Sequence, residues 1–280
     1  MARIASLAVL ADPSGNDYLA ETYGKVIGNI QKNTISGRIK NTNLSGNPTA
    51  GTVEAKRFTN SSTKAYGTAR SGGAGQKLKA KPVVIAIDTD RELIHEVETK
   101  DTLLYGVDGL VERTARQDER DVMRELERAF FNEAKTAAIS TGTVDISGAT
   151  TIADGLEILI QDLETTQNDY VDGVPRDIMH LALAPNLYGK ARTYFDKVEG
   201  GNATGETFNL FHGVRTDSST YLPSGIDAVL QVEGSIAQPV LFTRQNAERV
   251  PFSNAYAFGI FLSYGTKAVM PDLIRLVESE

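Results

Sequence analysis

The sequence predicts an α+β chain, and three observations carry that expectation. Val122, Leu126, Ala129, Phe130, Ala134 and Ala137 recur at helical spacing inside a charged stretch, which marks one long amphipathic helix. Thr52 to Phe58 and Val83 to Ile87 read as strands around a long polar tip. Beyond residue 150 helical and strand patterns alternate, as in an α/β sandwich. At 280 residues the chain has room for one large domain or two modest ones.

Taken in order, the first fifty residues are rich in Gly, Asn, Ser and Thr, and Asn29 to Pro48 shows no sustained period. Two readings stand side by side: a flexible tail, or an arm that orders only against neighbouring subunits. In TVEAKRF, residues 52–58, Val53, Ala55 and Arg57 share one face of a strand. VVIAI, residues 83–87, follows Pro82 as a β-branched return strand. The polar tip between them, with Asn60 to Thr63 and Ser71 to Gly75, is too long for a compact domain. A projecting hairpin accommodates it, and an isolated two-stranded ribbon needs a supporting surface.

Charge suggests that surface. From Thr52 to Pro82 there are seven basic residues, Lys56, Arg57, Lys64, Arg70, Lys77, Lys79 and Lys81, against the single acid Glu54. From Asp88 to Glu133 there are fourteen acids against seven basic residues. A cationic hairpin and an anionic segment suit docking between copies, with Asp118, Glu119 and Glu125 of the helix as acidic candidates. The plain alternative is two ordinary solvated faces.

The long helix is expected from Thr114 to about Ile139, roughly 37 Å. Thr114 and Gln117 form a capping-box pattern, and Asp118, Glu119 and Asp121 favour the N-terminal end of the dipole. The carboxylates of this helix have arginine neighbours and read as solvated pairs. A Gly/Thr/Ser-rich link over Ser140 to Thr150 follows, then a helix marked by Ile152, Leu156, Leu159, Ile160 and Leu163. Ile178 to Ala184 is a buried strand, and Pro185 opens a helix that buries Leu187, Ala191, Tyr194 and Phe195. A loop with Gly200, Gly201 and Gly205 leads to strands at Ala228 to Val232, Val240 to Thr243, Ala257 to Tyr264 and Lys267 to Met270. Pro271 stops the last of these.

Composition narrows the function. Hydrophobic residues make up 41% and charged residues 23%, as in a soluble globular chain. With 29 basic and 36 acidic residues, the net charge of −7 argues against a general nucleic-acid binder. The absence of cysteine excludes disulfides, zinc-thiolate sites and thiol nucleophiles, and it fits a reducing cytoplasm. The apolar run at the start ends at Leu10 before Asp12 and Pro13, short of the ~20 residues that span a bilayer. Neither export nor membrane insertion is expected.

No catalytic constellation emerges. His180 lies in an apolar strand and reads as a hydrogen-bonded core histidine, while His95 and His212 lack metal-ligand spacing. A nucleophile elbow is missing, and Gly72 to Gly75 is followed by no Lys-Ser/Thr pair, so it is no phosphate loop. No catalytic residue, cofactor or metal is assigned.

The order of parts resembles the major capsid proteins of tailed bacteriophages, the Hong Kong 97 fold. GTVEAKRF and KLKAKPVVIAIDTDREL look like the E-loop and its return; ERTARQDERDVMRELERAFFNEA looks like the spine helix. VPRDIMHLALAPNLYGKARTYF is similar to the strand and helix of the A-domain, and YGTKAVMPDLIRLVE to the closing P-domain strand. The resemblance implies an N-arm at 1–50, an E-loop at 51–88, a P-domain with spine helix at 89–148, an A-domain at 149–250 and closing P-domain strands at 251–280. It further implies a non-enzymatic subunit of an icosahedral shell of hexamers and pentamers, assembled in the host cytoplasm. Such a shell encloses double-stranded DNA without sequence-specific binding, and a mildly acidic inner wall lets that DNA slide. Each E-loop lies over a neighbour's P-domain, and the ten contact candidates named above sit on those two parts. A portal protein is a further implied partner. So is a separate scaffolding protein, because the long N-terminal scaffold of many members is not present in this sequence. Some members crosslink an E-loop lysine to a neighbour's asparagine; Lys64 stands at a comparable place, and no crosslink is assigned. Two alternatives remain, an encapsulin-type nanocompartment shell and an α/β enzyme with an unrecognised site.

Overall fold

Leu19, Tyr23, Val26 and Ile30 are spaced by four, three and four residues, and that stripe folds the N-terminal segment into helix. The computed structural model describes residues 4, 6–67, 79–138, 142–197 and 209–279. A turn of helix, α1 (Leu7–Leu10), leads into α2 (Pro13–Asn33), with Pro13 in its first turn, and α3 (Ile35–Ile39) follows. Gly15 permits the tight α1–α2 corner, since a Cβ there would lie 2.3 Å from the Val9 carbonyl oxygen. The expectation of a flexible tail, or of an arm ordered only by neighbours, is therefore corrected: the buried stripe packs on the chain's own long helix.

After the short strand β1 (Leu44–Ser45), β2 (Thr52–Phe58) and β3 (Ala80–Ala86) pair antiparallel, with Val53 opposite Ile85. The three strands form one sheet in the order β1-β2-β3. The next strand, β4 (Thr89–Glu98), went unread in the sequence beside the more conspicuous charged helix that follows it.

Helix α4 (Thr102–Ala138) is the spine, interrupted at Gly106, whose φ of 69° and ψ of 172° are non-helical. From Val107 onward it runs about 48 Å, earlier in start and longer than expected. Val107, Val111 and Ala115 extend its buried stripe towards the N-terminus. The expected capping box is not used, because the helix already runs through Thr114, and Gln117 instead bonds forward to Asp121 at 3.1 Å.

Helix α5 (Ile152–Glu164) buries Leu156, Leu159, Ile160 and Leu163 as expected, with Ile152 half-buried at its start, and is capped by Thr151 and Asp154. A small hairpin, β5 (Gln167–Asn168) with β6 (Val171–Asp172), precedes the fully buried β7 (Met179–Leu183) and α6 (Pro185–Lys197). Then come β8 (Leu210–Phe211), β9 (Val214–Ser218), β10 (Ile226–Val232), β11 (Ile236–Ala237), β12 (Val240–Arg249), β13 (Ala255–Tyr264), β14 (Lys267–Ala268) and β15 (Ile274–Glu278). The Gly-rich loop at 200–205 lies outside the described residues.

Two larger sheets organise these strands. One has the order β15-β10-β7-β9-β8, parallel only between β7 and β9. Leu181 and Leu183 meet α5 and α6 on one face, while Ala182, Ile274 and Leu276 meet α3 and the C-terminal half of α4 on the other. The other sheet, β12-β13-β4, packs on α2 and the N-terminal half of α4. The spine helix thus spans both cores. The sequence reading placed β12 with the α/β unit and the C-terminal strand with the closing pair. The register reverses both: β12 pairs with β13, and β15 returns to the five-stranded sheet beside β10.

Candidate assembly surface

Backbone pairing fixes which way each side chain of the β2–β3 ribbon points. Thr59 N–H donates to the Lys79 carbonyl and Ile87 N–H to that of Gly51, so odd-numbered residues face one another in hydrogen-bonded pairs. Pro82, at an even position, would point its missing N–H away from β2, as an edge strand tolerates. The odd face packs inward: Val53, Ala55 and Ile85 join Ala237 and Val269 in a small core of their own. Arg57, on the same face, forms a two-pronged pair with Asp272, Nη2 to Oδ2 at 2.8 Å, and lies 4.3 Å over the Tyr170 ring. Asn60 N–H reaches the Asp169 carbonyl at 2.9 Å.

The base of the ribbon is thus seated on its own chain, a correction to the expectation that only a neighbour supports it. A groove lined by Arg57, Lys81, Asp169, Tyr170 and Asp272 lies at this seat, and within it Arg57 is an internal anchor paired with Asp272.

The even face is a different matter. It exposes Phe58 at 51% and Val84 at 55%, beside Lys56 and Glu54. The two share this face with the Lys56–Pro82 pair between them, and large apolar side chains this exposed are candidates for a contact. Lys64 is also exposed beyond the paired residues, while Lys79 and Lys81 are exposed at odd positions, on the face of Arg57. Arg70 and Lys77 lie outside the described residues.

Of the three acidic candidates on the helix, one is not at the surface and the other two are half-buried. Asp118 has no exposed surface; it accepts the Tyr23 hydroxyl at 2.9 Å and lies 2.6 Å from His95 Nε2. Glu119 receives Asn29 Nδ2 at 3.2 Å, and Glu125 receives Arg91 Nε at 3.0 Å and the Tyr264 hydroxyl at 2.8 Å. Glu127 is buried as well, accepting from Ser36, and burial raises its carboxyl above the usual range. The reading of these carboxylates as solvated is overturned for Asp118 and Glu127: on this long helix some charged positions turn inward, against α2, α3 and β4.

A period-two pattern shows where the exposed acids are. In β4, Thr89, Arg91, Leu93, His95 and Val97 turn towards the helices, while Asp90, Glu92, Ile94, Glu96 and Glu98 turn outward and are exposed. Half-buried Phe261 on β13 and Leu241 on β12 continue that outer face. TDRELIHEVE carries the signal in its alternation, an apolar Ile94 set among carboxylates.

The three histidines pair with acids. His180, 1% exposed, places Nε2 2.8 Å from Asp217, as expected of a core histidine, and Arg38 reaches the same carboxylate. His212 Nδ1 lies 2.6 Å from Glu157, which Arg176 holds down to about 2. Among the described residues no three His, Cys, Asp or Glu side chains gather as a metal site, and no helix is long and apolar enough to cross a membrane.

By sequence the chain matches no protein-family model and no curated protein. Solved structures do match. A chain of Mycobacterium phage Che8 aligns with a TM-score of 0.59 at 16% identity, covering 81% of this chain and 84% of that one. The capsid structure of the cyanophage P-SCSP1u aligns at 0.61 with 14% identity, over 86% and 85%. A virus-like particle from Pyrococcus furiosus aligns at 0.60 with 11% identity, over 93% and 99%. The fold is thus of the Hong Kong 97 type.

Proposed function

We propose that the chain is the shell-forming subunit of a tailed-phage capsid, acting by tiling and not by catalysis. The observation that carries this is the pairing of two unlike surfaces on one molecule. The ribbon's outer face sets Phe58 and Val84 beside Lys56 and Glu54, and the outer face of β4 sets Ile94 among four carboxylates. Each has exposed apolar side chains, and the ribbon as a whole is basic (Lys56, Arg57, Lys64, Lys79 and Lys81 against Glu54) where the β4 face is acidic, a complementarity that suits a repeated head-to-tail contact. In this reading β2–β3 is the E-loop, the β12-β13-β4 sheet with α4 the P-domain, and the five-stranded sheet with α5 and α6 the A-domain. The E-loop of one subunit lies on the β4 face of the next. Hexamers and pentamers close into an icosahedral shell around double-stranded DNA, in the virion, after assembly in the host cytoplasm with a scaffolding protein and a portal.

Negative-stain microscopy of the purified protein tests it: closed particles are expected, and a monodisperse monomer at high concentration counts against it. A second reading, an encapsulin-type shell around a protein cargo, draws support from the coverage of the virus-like particle chain, 93% and 99%. The contents of particles from a native source separate the two, DNA for the first and protein for the second.

A further inference from the structure

The spine helix carries a charge pattern that subunit tiling leaves unused. Glu112, Arg116, Arg120, Arg124, Arg128, Asn132 and Thr136 follow one another at i+4, and every one is exposed. Positions four apart form a continuous ridge along a helix. Four consecutive places on that ridge are arginine, spanning about 18 Å at 1.5 Å per residue. Arg113 stands beside its start, 5.2 Å from the Tyr105 ring, and a groove there is lined by Tyr105, Arg113, Arg116 and Arg120. The opposite side of this half of the helix, with Val111, Ala115, Asp118 and Val122, is buried. The ridge therefore points away from the β12-β13-β4 sheet.

The row is unfavourable for the helix alone. Arg116–Arg120, Arg120–Arg124 and Arg124–Arg128 are like-charge neighbours at i,i+4, each mildly repulsive. Among the described residues its ion pairs are Arg116 with Glu112 at 3.4 Å and Arg124 with Asp121 at 2.6 Å; Arg120 and Arg128 have none.

We propose that this arginine ridge binds the phosphate backbone of a nucleic acid, and that it marks the side of the subunit facing the enclosed genome. The inference rests on the shell reading for its sidedness only. Charge excludes the basic E-loop as occupant. The ridge also lacks any apolar side chain from Glu112 to Thr136, whereas protein interfaces are centred on apolar or aromatic anchors. Interfaces with nucleic acid are polar and strongly positive, and arginine offers phosphate a planar fork that lysine lacks. No side chain on the row is placed to read a base, so binding is independent of sequence. The acidic β4 face and the basic ridge then divide the slab: the first meets neighbouring subunits, the second the genome. The net charge of −7 conceals this local excess.

The test uses the full-length chain and a double-stranded oligonucleotide of arbitrary sequence, with fluorescence anisotropy across a salt series. Each phosphate contact contributes about −0.9 to the slope of log Kobs against log salt. The double variant Arg120→Gln/Arg128→Gln should flatten that slope by about 1.8 and weaken low-salt binding, leaving the thermal midpoint unchanged or slightly raised. An unchanged slope overturns the proposal. So does a loss of binding that follows Lys56→Gln/Lys79→Gln instead, or a wild type that takes up polyglutamate but not DNA. Microscopy of the same samples keeps the two claims apart. Arginine-dependent binding by a protein that forms no particles sinks the shell reading and spares the ridge. Normal particles with an unaltered slope do the reverse.

Discussion

The Tyr23 hydroxyl donates to an Asp118 carboxylate oxygen at 2.9 Å, joining α2 to the spine helix across 95 residues of sequence. Burial and the carboxylate together hold that phenol protonated, so it remains a donor at any physiological pH. Tyr23→Phe is expected to cost about 1–3 kcal/mol, since the carboxylate then keeps one partner fewer in the interior. Asp118→Ala should cost more, because it strands both Tyr23 and His95. Urea denaturation of the monomer gives both values. A docking role for Asp118 would instead leave the midpoint unchanged and lower assembly alone.

His95 shares Asp118, and its bond to that carboxylate raises its pKa above the ordinary histidine value. The folded state then holds the proton more tightly than the unfolded state. The stabilisation is complete below about pH 6.5 and disappears as pH rises through the raised value. Glu127 has the same sign: burial favours its protonated form, so its contribution begins to be lost as pH rises above the ordinary 4.5, and the change near neutrality belongs to His95. The thermal midpoint should therefore fall from pH 6 towards pH 8 or above at constant ionic strength. His95→Gln should flatten that part of the profile.

At the far end of the molecule the sign reverses. Arg176 donates to Glu157 and Glu164 at 2.8 Å each, and it is the main reason Glu157 lies at about 2 and not 4.5. A carboxyl lowered on folding stabilises above its ordinary pKa, and that contribution is lost as pH falls from 4.5 towards 2. Arg176→Gln should move acid unfolding to higher pH, followed by far-ultraviolet circular dichroism.

Two glycines separate propensity from packing. Gly24, in the middle of α2, has nothing within 4 Å of where a Cβ would sit. Gly24→Ala is expected to stabilise by about 0.5–1 kcal/mol through helix propensity. At Gly265 a Cβ would fall 1.7 Å from the Ala86 carbonyl oxygen, where the base of the ribbon meets the end of β13. Gly265→Ala must therefore push the ribbon off its seat, and calorimetry should show a loss and not a gain.

These residues also show what the sequence could disclose. Local pattern identified β2 to the residue and the buried faces of α5 and β7, because each has one uninterrupted period. Helix α2 was hidden by Gly15, Gly24 and Gly28, although Leu19, Tyr23, Val26 and Ile30 carried its stripe. Asp118 and Glu127 were misjudged because a carboxylate on a charged helix is indistinguishable from its neighbours until the packing partner is known. The pairing of β15 with β10 is a long-range choice that no window of sequence contains. The acidic face of β4 was legible in its alternation and was passed over in favour of the more conspicuous helix.

That face supports the most direct test of assembly. Reversing Lys56 and Lys79 to Glu should leave the monomer's unfolding midpoint nearly unchanged, since both are exposed, whereas Lys81 lines the ribbon's seat with Arg57 and Asp272 and is kept. Each exposed pair contributes only about 0.2–1 kcal/mol, but reversal turns attraction into repulsion at every copy of the contact. A loss of about 1.4 kcal/mol per contact raises the concentration needed for association roughly tenfold. Adding Glu92→Lys and Glu96→Lys to the same chain restores complementarity with the signs exchanged, so particles should reappear. Phe58→Ser, which removes the apolar centre and leaves every charge in place, should also weaken assembly, and added salt should not rescue it. Sedimentation and negative-stain images read all three variants. Normal particles from the lysine reversal, or no recovery in the exchanged chain, would place the E-loop contact somewhere other than β4.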